Sequence, residues 1–237
     1  MSAIAKPTRS AVASDGTRFS AIAKTPSASL YVQDGLVAMW DAIENIGPGQ
    51  HDETSTTWKD LVGNADFKCE TGSVSDSWIR YSQSFQIIID EPLVSGYPFT
   101  IQGVYDRTET TGNFCAFGFG FSTSRLCTGN ASTFGCRFGS TYNTKNVVGP
   151  RNAITWLRSS ADGDKMRIFA DGNDLGLTNN PQGGDVSTLA KICINGENQY
   201  GNYRNVFSVG NIRVYNRALT TSELAYNYGI DRARFHI

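Results

Sequence analysis

Residues 206–217 read VFSVGNIRVYNR, and residues 218–235 continue as ALTTSELAYNYGIDRARF. The first stretch is rich in β-branched and aromatic residues and predicts a long β-strand. In the second stretch, Thr220 and Glu223 have the spacing of a helix capping box. We therefore predict a strand followed by a C-terminal helix over 221–234 that packs on the edge of a sheet.

Eight segments upstream have the same β character and are bounded by Gly, Asn, Asp or Pro. They are GLVAMWDA (35–42), QIIID (86–90), FTIQGVYD (99–106), FCAFGFGF (114–121), STFGCRFG (132–139), AITWLRSS (153–160), KMRIFADG (165–172) and LAKICING (189–196). Many short strands separated by turn residues are typical of an antiparallel sandwich. We expect Trp40 and Trp58 to lie in its core.

The composition excludes two classes of function. The 237 residues include 18% charged residues and carry a net charge of −1, whereas a nucleic-acid-binding protein needs clustered Lys and Arg. No apolar run approaches the ~20 residues of a membrane-spanning helix. We expect neither nucleic acid nor a membrane among the partners.

Residues 1–34 form a separate segment, rich in Ala, Ser and Thr, that has too few apolar residues to order itself. The pentamer SAIAK occurs at 2–6 and again at 20–24. The segment is either a flexible linker or an arm with two copies of a docking strand. The residues that would dock on a partner are Ile4, Lys6, Arg9, Ile22 and Lys24. The remaining residues, 35–237, form the predicted β domain.

The five cysteines are odd in number, so they cannot all pair within one chain. Cys115 and Cys193 lie in apolar strands and are expected to be buried thiols. Cys127 and Cys136 flank a polar loop, and they either pair or remain free. The N-terminus has no apolar segment typical of a secretory signal, which indicates folding in a reducing cytosol.

Four stretches resemble the laminin G-like branch of the concanavalin A-like jelly rolls. They are GLVAMWDAIEN, TTWKDLVGN, DGDKMRIFADGNDLG and FSVGNIRVYNRALTTSELAYNY, and together they span about 35–235. The resemblance implies an all-β, concanavalin A-like antiparallel β-sandwich with one C-terminal helix, here preceded by an extended N-terminal arm. It also implies a domain that is usually non-catalytic, that binds glycans or proteins on exposed surfaces, and that in some members holds Ca²⁺.

The residues favour a protein that is not an enzyme. Retaining glucanases of this fold need two carboxylates about 5 Å apart, and no strand carries the alternating acids that would supply them. His51 and His236 are interpreted as surface residues. We expect no cofactor, with calcium as the exception to test. The candidate calcium ligands flank one predicted hairpin and are Asp162, Asp164, Asp171 and Asp174. The alternative is that these residues only form turns, because Asp-Gly pairs are typical of hairpin turns.

Two loops combine aromatic faces with amide and hydroxyl donors, the combination that suits a glycan. Loop 196–205 is one and 140–143 is the other. The candidate binding residues are Asn198, Tyr200, Asn202, Tyr203, Arg204 and Tyr142. The alternative is a pair of solvated turns with incidental tyrosines.

A surface-binding domain without an export signal suggests a bacteriophage protein, made in the host cytoplasm and released by lysis. We expect a virion structural, capsid-decoration or adhesion protein within a larger or homo-oligomeric assembly. Residues 1–34 would bind other virion proteins of the capsid or tail, and the jelly roll would face surface glycans. The alternatives are a lectin-like module of a bacterial cell surface and, third, a glycoside hydrolase.

Overall fold

The computed structural model describes residues 26–82, 85–88, 92–94, 98–119, 125–138, 141–163, 165–178, 191–195 and 205–237. The helices are α1 (Ser27–Leu30) and α2 (Thr221–Phe235). The strands are β1 (Leu36–Asp41), β2 (Thr57–Trp58), β3 (Phe67–Lys68), β4 (Ile79–Tyr81), β5 (Phe85–Ile88), β6 (Phe99–Asp106), β7 (Phe114–Phe119), β8 (Arg125–Gly129), β9 (Thr133–Phe138), β10 (Thr141–Asn146), β11 (Arg151–Arg158), β12 (Arg167–Ala170), β13 (Asn173–Leu177), β14 (Lys191–Ile194) and β15 (Phe207–Tyr215).

The strands form two main antiparallel sheets. The first has the order β1-β15-β6-β11-β12-β13, and β4 also pairs with β15. The second has the order β10-β9-β8-β7-β14-β5, and β2 pairs with β3 in a small third sheet. The prediction of an all-β antiparallel architecture with one long C-terminal helix is confirmed.

The core lies between the two main sheets and is rich in aromatic rings. Trp40 of the first sheet lies 5.9 Å from Phe117 of the second, centroid to centroid. The ring centroids of Tyr105, in the first sheet, and Phe134, in the second sheet, lie 5.5 Å apart. Trp40 and Trp58 are both fully buried, which confirms their predicted place in the core.

Helix α2 begins with the predicted capping box, in which the Thr220 and Glu223 side chains each bond the other's backbone N–H. The helix packs on the outer face of the first sheet, not on an edge as predicted. Asn227 donates to the Gln102 side chain of β6 at 2.7 Å, and Asp231 bonds Arg213 of β15. Buried polar side chains on that face need partners, and the helix supplies them.

Residues 26–34 pack against the β domain. Ser27 is fully buried and donates its backbone N–H and its hydroxyl to Glu44. The Tyr31 ring lies under the Arg213 guanidinium at 3.9 Å, and its hydroxyl donates to Asp231 at 2.9 Å. This part of the predicted arm therefore contacts the folded domain. Residues 1–25, with Ile4, Lys6, Arg9, Ile22 and Lys24, lie outside the described residues.

Two smaller sequence features can be compared with the structure. Cys115 and Cys193 are buried as predicted, and Cys136, which faces Cys127 across β8 and β9, is a free and buried thiol. Burial raises the pKa of Cys136 to about 12. No helix in the described part of the chain is long and apolar enough to cross a membrane.

Candidate functional site

Most of the predicted glycan-binding residues lie outside the part of the chain that the structure describes. Tyr142 lies in β10, and its side chain is outside the described residues. Five other predicted residues also lie outside them: Asn198, Tyr200, Asn202, Tyr203 and Arg204.

The two ends of the 196–204 loop are nevertheless well defined. The Asn195 side chain donates to the Asn205 carbonyl and accepts from the Asn205 backbone N–H, both at 3.0 Å. The Asn205 side chain in turn accepts from the backbone N–H of Thr111. Asn195 is fully buried. The loop therefore starts and finishes at a fixed point beside the 106–111 segment.

That fixed point adjoins a polar row on the outer face of the first sheet. Arg80 of β4 pairs with Ser208 of β15, Ser208 pairs with Asp106 of β6, and Asp106 pairs with Arg151 of β11. Residues directly opposite each other in an antiparallel pair point to the same face. The register alone therefore aligns Arg80, Ser208, Asp106 and Arg151 across four adjacent strands.

Helix α2 leaves this polar row uncovered. The helix starts beside Thr100, where the Leu219 N–H donates to the Thr100 hydroxyl. It passes over Gln102, which is only 4% exposed, and ends at Phe235. The Phe235 ring lies 5.7 Å from the Trp78 ring. Asp106 lies beyond the helix end, so the row remains open to solvent.

Three residues of the row, Ser208, Asp106 and Arg151, line a cleft with a volume of about 240 Å³. Its lining residues are Asp106, Thr108, Glu109, Arg151, Phe207 and Ser208. Half-buried Trp78 is not a lining residue, but its ring centroid lies 5.5 Å from the guanidinium of Arg151, which is one. The Trp78 ring therefore lies next to the Arg151 side of the cleft.

Two ion pairs set the electrostatics of the cleft. Arg151 Nε donates to Asp106 at 2.7 Å, and Arg80 donates twice to one oxygen of Glu109, at 2.8 and 2.9 Å. Partial burial opposes ionisation of Asp106, but hydrogen bonds from Thr108 and Arg151 outweigh it and lower its pKa. Asp106 is therefore a carboxylate at neutral pH. The Glu109 and Arg151 side chains are 59% and 50% exposed, which leaves polar atoms for a ligand.

The proposed calcium ligands of the 162–174 hairpin have other partners. Asp162 and Asp174 both form ion pairs with Arg167, at 2.9 and 2.7 Å, and the bond from Arg167 lowers the pKa of Asp162. Asp171 accepts from the backbone of Ala153 and from a side-chain amide of β11. Asp171 and Gly172 both have positive φ, as the tight turn of a hairpin requires. Asp164 lies outside the described residues.

The sequence interpretation missed this cleft because its members lie far apart along the chain. A partial signal was present, because FTIQGVYD and VFSVGNIRVYNR both interleave polar residues with apolar ones, which places polar side chains on the outward-facing side of each strand. That signal does not say which strands are neighbours.

No protein-family model matches the chain, and a search of curated proteins gave no match. Solved structures do resemble it in fold. A Trypanosoma rangeli sialidase in complex with 2,3-difluorosialic acid aligns with a TM-score of 0.60 and 14% identity over 82% of this chain. The binding domain of botulinum neurotoxin DC in complex with SialylT aligns with a TM-score of 0.58 and 8% identity over 83% of this chain.

At these identities the likeness concerns the fold alone. The chain spans about a third of the sialidase, 33%, and about half of the toxin binding domain, 52%. The comparison supports a β-sandwich architecture.

Proposed function

We propose that this chain is a non-catalytic glycan-binding domain of the laminin G-like, concanavalin A-like jelly-roll type. The ligand binds in the cleft beside Trp78. The observation that carries the proposal is the polar row from Arg80 to Arg151, which α2 leaves exposed next to an aromatic ring.

The chemistry of the cleft suits a sugar. A sugar ring presents C–H groups on its faces and hydroxyl groups at its edge. The Trp78 ring offers an apolar surface for the faces. The guanidinium groups of Arg80 and Arg151 donate to hydroxyl or carboxylate oxygens, while Asp106 and Glu109 accept from hydroxyl groups. Solved structures of similar fold include complexes with sialic acid and SialylT, which makes these the first ligands to test.

The cleft favours binding over hydrolysis. A glycosidase needs a carboxyl group that stays protonated long enough to act as a general acid. Asp106 has the opposite property, because its hydrogen bonds lower its pKa. Glu109 is bound by Arg80. A glycoside hydrolase remains the competing hypothesis, and release of reducing sugar from the bound glycan would establish it.

Alanine variants test the proposed cleft directly. Trp78→Ala and Arg151→Ala should each weaken binding on a sialylated glycan array and in calorimetry by at least about tenfold, the equivalent of ~1.4 kcal/mol. The matched control is Arg167→Ala, which removes an arginine that also pairs with carboxylates but lies outside the cleft. Unchanged binding in both cleft variants would overturn the cleft assignment.

The predicted loop residues are tested in the same assay. The double variant Tyr200→Ala and Tyr203→Ala should weaken binding if the loop between Asn195 and Asn205 contributes to the cleft. If this double variant abolishes binding and the Trp78 and Arg151 variants retain it, the loop is the site and the cleft is not.

We also propose that the chain is a bacteriophage virion protein attached through residues 1–25. The SAIAK repeat and the packing of residues 26–34 on the domain support this hypothesis, since an arm that leaves from a fixed point holds the domain in place. Deleting residues 1–25 should leave the melting temperature unchanged and abolish incorporation into purified virions. Incorporation at normal copy number would refute the attachment role and favour a cell-surface lectin-like module.

A further inference from the structure

A group of potential metal ligands lies outside the cleft, on two neighbouring loops. One ligand atom each from His51, Glu53 and Asp76 lies within 4.8 Å of the other two, and all three residues are exposed. His51 and Glu53 come from the loop after β1, and Asp76 comes from the turn before β4. The tertiary fold thus brings together a nitrogen ligand and two carboxylates from separate loops.

The His51 ring is held in the orientation and tautomer of a metal ligand. Its Nδ1 lies 3.0 Å from the backbone oxygen of Ala42. A carbonyl oxygen only accepts hydrogen bonds, so Nδ1 carries the proton in the neutral ring. The lone pair then lies on Nε2. Metal-binding histidines characteristically donate their other ring N–H in this way, which fixes the ring before the ion arrives.

The backbones of both loops are fixed independently of the three side chains. The buried Asn45 side chain donates to the Asp52 carbonyl at 2.8 Å and accepts from the Asp52 N–H at 2.9 Å. Ser75 and Trp78 exchange two backbone hydrogen bonds across Asp76. The Asp52 carboxylate accepts hydrogen bonds from the backbone N–H and the hydroxyl of Thr54. Asp52 is therefore a turn residue, and the adjacent Glu53 is the one directed to the group.

We propose that His51, Glu53 and Asp76 form a binding site for a divalent transition-metal ion, with Zn²⁺ as the test ion. One imidazole and two carboxylates match the ligands that zinc accepts, at roughly 2.0–2.2 Å each. Calcium prefers six to eight oxygen ligands, so a histidine ligand selects against it. One ligand atom of each residue already lies within 4.8 Å of the other two, so the three side chains can converge on one ion. Water or a bound molecule completes the coordination.

The experiment is calorimetry of the full chain with ZnCl₂, and the two histidines of the sequence provide a matched pair. The wild type and His236→Asn should bind one equivalent of Zn²⁺. His51→Asn should bind at least about tenfold more weakly, since even outer-shell changes cost ~10–100-fold in affinity. Asp76→Asn is the second variant and should also weaken binding. The melting temperature of each variant without metal shows whether it is folded.

Equal binding by His51→Asn and His236→Asn would overturn the proposal, as would failure of the wild type to bind. Tighter binding of Ca²⁺ than of Zn²⁺ would refute the assigned class of metal. The site is independent of the glycan proposal, because Trp78→Ala should lose glycan binding and retain one equivalent of Zn²⁺.

Discussion

Replacing Asp231 with Asn removes the negative charge and one of the two acceptor oxygens at the centre of a buried polar network. Its carboxylate accepts from the Tyr31 hydroxyl at 2.9 Å, from Asn211 at 3.0 Å, and from both terminal nitrogens of Arg213 at 2.7 and 2.6 Å. The side chains of Arg213 and Asp231 are 0% and 2% exposed. The substitution leaves the Arg213 charge buried without a counter-ion.

The expected cost follows from that burial. Removing one partner of a buried ion pair destabilises a protein by ~3–5 kcal/mol. For a domain of this size, each kcal/mol lowers the melting temperature by ~2–4 °C. Asp231→Asn should therefore lower the melting temperature by roughly 6–20 °C in a calorimetric or circular-dichroism scan.

The control makes the same acid-to-amide change at an exposed ion pair. Glu109→Gln breaks the ion pair with Arg80. The side chains of Arg80 and Glu109 are 45% and 59% exposed, and exposed ion pairs contribute ~0–1 kcal/mol to stability. A loss below ~1 kcal/mol for Asp231→Asn would match a surface pair and would refute the reasoning. Partial recovery in the double variant Arg213→Met, Asp231→Leu would assign the loss to the unpaired charge, since apolar pairs replace buried ions well.

Two further predictions concern the core and the helix cap. Trp40→Ala and Trp58→Ala should each lower the free energy of unfolding by ~3–5 kcal/mol in urea denaturation, since both rings are fully buried; a loss below ~1 kcal/mol would contradict this. The hydrogen bond from Arg217 lowers the pKa of Glu223 to about 2. Its ionised form therefore adds stability that is present above about pH 4.5 and is lost as the pH falls towards 2. The melting-temperature difference between the wild type and Glu223→Gln should shrink over that range, and a constant difference would count against the assigned cause.

Local patterns predicted the strands that are apolar and bounded by turns. FTIQGVYD coincides with β6, Phe99–Asp106, and the capping box begins α2 at Thr221 as expected. Short or polar strands were missed, among them β4 and β10, because their positions depend on pairing with a neighbour. The association of residues 26–34 with the domain was also missed, since a single buried Tyr31 is not visible in an average composition.

The site was harder to predict than the fold. The row that contains Arg80, Asp106, Arg151 and Ser208 exists only through the pairing of four strands that are distant in sequence. The hypothesis that a ligand binds at residues 196–205 rests on their aromatic and amide composition alone, and it stays a prediction. The structure places the base of that loop beside the cleft, through the bond between Asn205 and Thr111.

The hydrogen bonds between Asn195 and Asn205 make this position suited to protein engineering. They join the two residues that flank 196–204 directly to each other and fix both positions within the framework. Lengthening a flexible loop costs little, about 0.6 kcal/mol for each doubling. The fixed pair Asn195 and Asn205 is therefore an anchor between which a foreign peptide or a randomised library can be inserted and tested.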